Sequence, residues 1–260
     1  MITQIINTIQ GEGINIGIPT TLVRFFGCNL KCPFCDTKFS INEKDLKKNP
    51  NVNNFENENI YEILLEKVSL TNSLLITGGE PFLDIKNEIQ IIDFIDYLDS
   101  KNILKSIEFE TNGTIFPKQV ITYLLEKKRD IKIFFNISPK LKGHCYNKKN
   151  FYYDDVLCLI QNSISEYLCY ENDFNLSFKF IYDGTNLCDV EIKTFLSLFK
   201  IKDNIFIMPL TTHKNGLVNE ESIKKFNELS FKTAKYCLKN KYRFTTRLQV
   251  YLFKDINEII

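Results

Sequence analysis

Strand-like runs rich in Ile, Val, Phe and Thr alternate with segments of helical periodicity along most of the 260 residues, and this rhythm limits the fold most tightly. The runs fall at residues 2–9, 20–26, 73–77, 105–110, 131–137, 176–182, 204–208 and 247–253. Between many of them, apolar residues recur at helical spacing. Ile63, Leu64 and Val68 share a face within 61–70, as do Ile91, Ile92, Ile95 and Leu98 within 88–100. Val120, Ile121, Leu124 and Leu125 do so within 118–128, and 189–199 reads the same way. In 220–239 the inward set is Ile223, Phe226, Ala234 and Cys237. Alternating strands and helices predict a parallel sheet with right-handed crossovers. The count is too low for a complete eight-stranded barrel. The expected fold is therefore α/β, an open partial (β/α) barrel in one domain over residues 1–260, with its chemistry at the C-terminal strand ends. Two stretches interrupt the rhythm. Residues 42–59, rich in Asn, Lys and Glu, read as an exposed insertion, and 142–175 as an irregular one around a short helix at 156–170.

Charge narrows the range of functions. Lys and Arg number 33 against 32 Asp and Glu, a formal charge of +1, so no basic footprint for nucleic acid is expected. The start Met1-Ile2-Thr3-Gln4 has no basic segment leading into a long apolar stretch, and no apolar run approaches membrane-spanning length. A cytoplasmic protein acting on small molecules is expected. In that reducing compartment, eight cysteines point to metal ligation or catalysis by some of them, not to a disulfide framework.

Cys28, Cys32 and Cys35 form C-x3-C-x2-C directly after the second strand run. Three thiolates on a short loop suit three irons of a [4Fe–4S] cluster and leave the fourth iron open. Such a site accepts the amino and carboxylate groups of S-adenosylmethionine, and electron transfer into the sulfonium then releases a 5′-deoxyadenosyl radical. Other readings stand beside it. Cys32-Pro33-Phe34-Cys35 alone resembles a thiol–disulfide motif. Structural zinc wants four ligands, and no second close Cys/His pair appears. Three buried structural cysteines are the remaining alternative. Gly78-Gly79-Glu80-Pro81 follows the third strand run, where glycines allow close backbone approach, although alone it is an ordinary strand-to-helix turn.

Together, C-x3-C-x2-C and Gly-Gly-Glu-Pro resemble the signature of the radical S-adenosylmethionine superfamily. One family within it is matched more closely. Ile9-Gln10-Gly11-Glu12-Gly13, Gly17-x-Pro19, Val23-Arg24-Phe25-Phe26-Gly27-Cys28-Asn29-Leu30 and Cys35-Asp36-Thr37 resemble the 7-carboxy-7-deazaguanine synthase family nearly residue for residue. Thr111-Asn112-Gly113, Ser138-Pro139-Lys140 and Lys179-Phe180-Ile181 match it in order. The resemblance implies a homodimeric lyase that converts 6-carboxy-5,6,7,8-tetrahydropterin to 7-carboxy-7-deazaguanine with loss of ammonia, on the route to queuosine and related nucleosides. It implies a [4Fe–4S] cluster, S-adenosylmethionine, Mg²⁺ and an electron donor such as flavodoxin or ferredoxin. Carried over, Ile9, Gln10, Gly11, Glu12, Arg24 and Thr77 contact substrate, and Thr37 ligates Mg²⁺. Phe34, Cys35, Asp36, Gly78, Gly79, Glu80, Ser138, Pro139 and Lys140 form the S-adenosylmethionine site. Met208, Pro209, Leu210 and Thr211 would add backbone contacts there, Met208 standing where the family commonly has Gln.

The residue chemistry agrees with these roles. Arg24 carries a planar fork suited to a carboxylate, its alternative being an inter-strand ion pair. Glu12 suits the paired donors of a pterin edge, its alternative being a turn residue between glycines. Glu110, ending a strand on the active face, is a further polar candidate, and the alternative for Thr37 is a cap on the turn that follows. Cys145, Cys158, Cys169, Cys188 and Cys237 show no ligand spacing, and His144 and His213 lie in polar loops, where solvent exposure is expected. Two competing functions share the cysteine motif. A glycyl-radical-activating enzyme would lack the block from Gln10 to Arg24, and a non-catalytic iron–sulfur module would leave the strand-end motifs idle.

Overall fold

The computed structural model describes residues 1–47, 59–127, 130–141, 153–211 and 220–248. The chain runs β1 (Ile2–Ile9), β2 (Pro19–Phe25), α1 (Glu43–Leu46), α2 (Ile60–Thr71), β3 (Ser73–Gly78), α3 (Ile85–Ser100), β4 (Ser106–Thr111) and α4 (Lys118–Lys127). It continues β5 (Lys132–Ile137), α5 (Tyr153–Leu168), β6 (Asn175–Tyr182), α6 (Asn186–Phe199), β7 (Ile205–Pro209), α7 (Glu220–Asn240) and β8 (Arg243–Phe244). The strands form one open sheet in sequential order, β2 through β8 all parallel. The expected open α/β sheet is therefore present, with one difference at its edge. β1 pairs antiparallel with β2, because residues 10–18 between them are too few for a crossover helix.

Strand alternation divides the sheet into two chemically different faces. Ile5, Val23, Phe25, Leu74, Ile76, Ile107, Phe109, Phe135, Ile137 and Phe180 are buried in the core that the helices cover. Leu64 and Val68 of α2, Ile91, Ile95 and Leu98 of α3, and Val120 and Leu124 of α4 complete it. Phe109 and Phe135 stack with centroids 4.8 Å apart. Each buried side chain of this size contributes roughly 1.5–3 kcal/mol. The alternate strand positions carry Gln4, Arg24, Thr77, Glu110 and Lys179 toward a cavity on the opposite face. A sheet with one face apolar and the other polar is stable only if the polar groups find partners.

Two expectations need correction. The last strand is Arg243–Phe244, paired with Phe206 and Ile207, and Arg247 is not in it. Thr245 leaves the ladder: its N–H reaches Ile207 O at 3.0 Å while its hydroxyl takes the Gly13 N–H at 2.8 Å. The remainder of that expected strand, 249–253, lies outside the described residues. Within 142–175, α5 is a full crossover helix, with Ile160, Ile164 and Tyr167 in the core. Residues 48–58, 142–152, His144, Cys145, His213 and the Cys158 side chain lie outside the described part. Among the described residues, no helix is long and apolar enough to cross a membrane.

Candidate active site

The cysteine loop is built on backbone contacts at the ends of β2 and β3. Gly27 adopts φ +97°, and its N–H bonds Ser40 O at 2.7 Å, folding the loop back on itself. Gly79 N bonds Phe25 O at 3.0 Å, and Glu80 N bonds Gly27 O at 2.7 Å. A Cβ on Gly79 would lie 2.0 Å from Gly27 O, so glycine is what lets the two strand ends touch. Glu80 fastens this turn to the next strand end. It accepts from Thr111 Oγ1 and Asn112 N, both at 2.8 Å, and burial pushes its pKa up to about 7 against those bonds.

Cys28, Cys32 and Cys35, each half-buried, line one cavity of about 490 Å³. Among the described residues, no three His, Cys, Asp or Glu side chains converge on a single ion. Three thiolates on one cavity suit a cubane with its fourth iron left open, whereas structural zinc wants four closed ligands. Burial pushes the Cys28 thiol up to about 12, so its thiolate form requires a metal in place of the proton. The Asn112 side-chain amide lies 3.8 Å from Cys28 Sγ and is itself held by Asn29 Oδ1 at 3.0 Å. Amide donors to ligand sulfurs are one means by which a protein tunes cluster potential.

The opposite wall is charged. Arg24, from β2, is half-buried: its Nε donates to Gln4 Oε1 at 2.8 Å, and no carboxylate among the described residues lies in ion-pair range. Burial lowers its pKa to about 10, which still leaves it charged at neutral pH. Glu12, in the β1–β2 loop, is held at both oxygens, by Lys179 at one and by Arg247 Nε at 2.9 Å at the other. Burial pushes its pKa up, but Lys179 and Arg247 outweigh it and hold the carboxyl at about 2. Arg247 also pairs with Asp36 of the cysteine loop and donates to Thr211 Oγ1 at 3.4 Å. Glu110 accepts from Thr77 Oγ1 at 3.0 Å and Gln10 Nε2 at 3.4 Å, with Lys179 Nζ 3.7 Å away. Below it, Glu108 accepts from Asn15 at 2.9 Å and Asn136 at 3.2 Å, and burial first, then Glu110, raise it to about 7.

Comparison with known proteins identifies this arrangement. The family model described as the radical SAM superfamily matches residues 22–139, which hold all three cysteines and the Gly-Gly-Glu-Pro turn. A 7-carboxy-7-deazaguanine synthase of Haemophilus influenzae is 32% identical over 65% of this chain and 66% of its own length. One of Methanocaldococcus jannaschii is 29% identical over 97% of this chain and 99% of its own. The chain belongs to the 7-carboxy-7-deazaguanine synthase family. Alignments with some other relatives of that name span only about half of those proteins, 43% and 48%. The solved structure of QueE from Escherichia coli superposes with TM-score 0.55 at 17% identity, covering 94% of this chain and 92% of that one, which shows the shared fold.

Most of the residues matched to the family meet in the cavity. Gln10, Glu12, Arg24 and Thr77 line one side. Phe34, Asp36 and Thr37 stand with the cysteines, and Gly78, Gly79, Ser138 and Lys140 lie at neighbouring strand ends. Met208, Leu210 and Thr211 complete the rim. Lys140 Nζ donates to Ser138 Oγ at 2.9 Å. Five others do not line it. Ile9 is paired with Pro19 in the β1–β2 ladder, and the Gly11 carbonyl accepts from Leu248 N at 3.0 Å. Glu80 is consumed by β4, and Pro139 and Pro209 lie outside the lining.

Thr37 precedes a short 3₁₀ turn at Lys38–Ser40, yet its side chain makes no cap bond and lies 3.7 Å from Cys35 Sγ. The family resemblance in the sequence assigned no role to Lys179 or Arg247. Lys179 had a signal, a single charge in the apolar run Leu176–Tyr182, where burial demands an acidic partner. Arg247 had none, since its neighbours read as a strand.

Proposed function

We propose that this protein converts 6-carboxy-5,6,7,8-tetrahydropterin to 7-carboxy-7-deazaguanine with release of ammonia. One observation carries the reading: a half-buried guanidinium, Arg24, with no carboxylate in ion-pair range among the described residues, faces the cavity that also holds three cysteines. A partly desolvated cation without an ion pair is costly, and a substrate carboxylate is the group that offsets that cost. The Glu12 and Glu110 carboxylates suit the ring amide and exocyclic amine of the pterin, with Gln10 and Thr77 fixing Glu110. Cys28, Cys32 and Cys35 would hold a [4Fe–4S] cluster, which with S-adenosylmethionine supplies a 5′-deoxyadenosyl radical. Phe34, Asp36, Gly79, Ser138 and Lys140 would bind the S-adenosylmethionine. Backbone groups at Met208, Leu210 and Thr211 would complete its site. The protein loaded anaerobically with iron and sulfide, then given S-adenosylmethionine, reductant and the carboxypterin, is expected to form the deazaguanine acid. Cleavage of S-adenosylmethionine without that product would refute the substrate.

The Thr37 hydroxyl, free of a capping bond, is proposed as a Mg²⁺ ligand. Mg²⁺ takes hard oxygen donors and often completes its shell with substrate and water. A single hydroxyl binds it poorly until the substrate carboxylate arrives, so metal and substrate should tighten each other's binding reciprocally. Thr37→Val is expected to lose the stimulation of turnover by Mg²⁺ while keeping the cluster and S-adenosylmethionine affinity. A Mg²⁺ response equal to that of the wild type would remove Thr37 from the metal site. The resemblance also supports a two-copy assembly and a small redox protein as electron donor, the first testable by sedimentation equilibrium.

A further inference from the structure

Lys179 lies near the middle of β6 and is 5% exposed, yet its ammonium meets carboxylates from two other elements. It pairs with Glu12 from the β1–β2 loop and stands 3.7 Å from Glu110 of β4. Burial alone would lower its pKa, but Glu12 and then Glu110 outweigh that effect and raise it. A lysine acting as nucleophile or base must be neutral, so this one is suited to neither. Its geometry suits another task. Glu12 and Glu110 face one cavity, and without a cation between them repulsion and burial would favour protonating one. Protonation turns an acceptor into a donor, which the donor edge of a pterin cannot use.

We propose that Lys179 is a positioning residue that fixes Glu12 and Glu110 as paired acceptors for the donor edge of the substrate, acting only through these two carboxylates. The inference rests on the pterin reading above. The charged groups around the pair are Arg247 from the C-terminal segment, Arg24 from β2 and Glu108 from β4. Arg247 holds the other oxygen of Glu12 at 2.9 Å but reaches no described oxygen of Glu110, so it does not substitute for Lys179.

The test is carboxypterin affinity of the cluster-loaded protein between about pH 5 and 8, expressed as the ratio of variant to wild type so that the ligand's own ionisation cancels. Lys179→Met is expected to weaken binding about a hundredfold, and the ratio should worsen as pH falls and Glu12 takes up a proton. Affinity for S-adenosylmethionine and the cluster spectrum should not change. Lys179→Arg keeps a cation, so its ratio should stay nearly flat with pH. A loss that is independent of pH in Lys179→Met would mark a packing role and overturn the proposal. If Lys179→Met does not accumulate, Lys179→Arg decides alone: a flat ratio supports the proposal and one that falls with pH overturns it. Failure of the wild type to bind carboxypterin would instead refute the substrate. Lys179 is then read without ligand, by carboxyl ¹³C titration of Glu12 in the full chain. Its midpoint should rise by about three pH units or more in Lys179→Met, into the range of the affinity measurement, and an unmoved midpoint would overturn the proposal.

Discussion

Replacing Cys32 with alanine is expected to abolish both the cubane absorption and the reductive cleavage of S-adenosylmethionine, and Cys28→Ala and Cys35→Ala should do the same. With three protein thiolates for four irons, loss of one leaves two irons without a protein ligand. Cys28 gives the sharpest case, because burial pushes its thiol up to about 12 and iron must displace that proton for the thiolate to exist. The other described cysteines provide the control. Cys169 is exposed, while Cys188 and Cys237 are buried in the core near α6 and α7, away from the cavity. Alanine at the last two should cost core stability of about 1 kcal/mol and leave iron content unchanged. A full cubane spectrum in Cys32→Ala would defeat the assignment, and iron loss in Cys188→Ala would correct the ligand set.

How much of this was legible beforehand follows from whether a signal is local. The runs that became β1, β3 and β6 lie within a residue of the observed strands, because their alternation and β-branched content are properties of the segment itself. The antiparallel β1–β2 pair was legible too, in a connection only nine residues long, though the alternating rhythm elsewhere drew attention to parallel pairing. The cysteine loop and the Gly-Gly turn were visible as motifs. Their mutual contact was not, since the reason for Gly79 is a carbonyl at position 27, fifty-two residues earlier in the chain. Glu80 shows the same limit: its partners, Thr111 and Asn112, belong to a strand end that sequence does not place beside it. Arg247 is the extreme case. It joins Glu12 and Asp36 across the gap between the two ends of the sheet, and nothing near it in sequence marks that gap.

Polar groups on the cavity face also explain why the sheet tolerates them. Glu12, Glu110, Lys179, Arg247 and Asp36 form a linked series in which every charge has an opposite neighbour. Arg24 alone among the cavity's arginines stands outside that series, with an amide oxygen as its partner. With the carboxylates of that series already engaged, this guanidinium is left available to an anion.

From this follows an expected result with two opposite signs. Arg24→Met should weaken carboxypterin binding by the loss of a desolvated charge pair, about 2–5 kcal/mol, or roughly thirtyfold to several-thousandfold. The same substitution should leave the substrate-free protein at least as stable as the wild type, because a half-buried guanidinium without an ion pair is replaced by an apolar chain of similar length. The lost bond to Gln4 opposes this gain by about 1 kcal/mol, less than the relief of a partly desolvated charge without an ion pair. A merely structural arginine would give the reverse pattern, with thermal stability falling and ligand affinity following it. Arg24→Lys should lie between, keeping the charge but losing the planar fork. Cluster absorption and S-adenosylmethionine affinity should be unchanged throughout, since Arg24 makes no described bond to the cysteine loop. Thermal unfolding and ligand titration on the same three proteins are sufficient. Unaltered carboxypterin affinity in Arg24→Met would remove the residue from the substrate site, and with it the observation on which the proposed reaction rests.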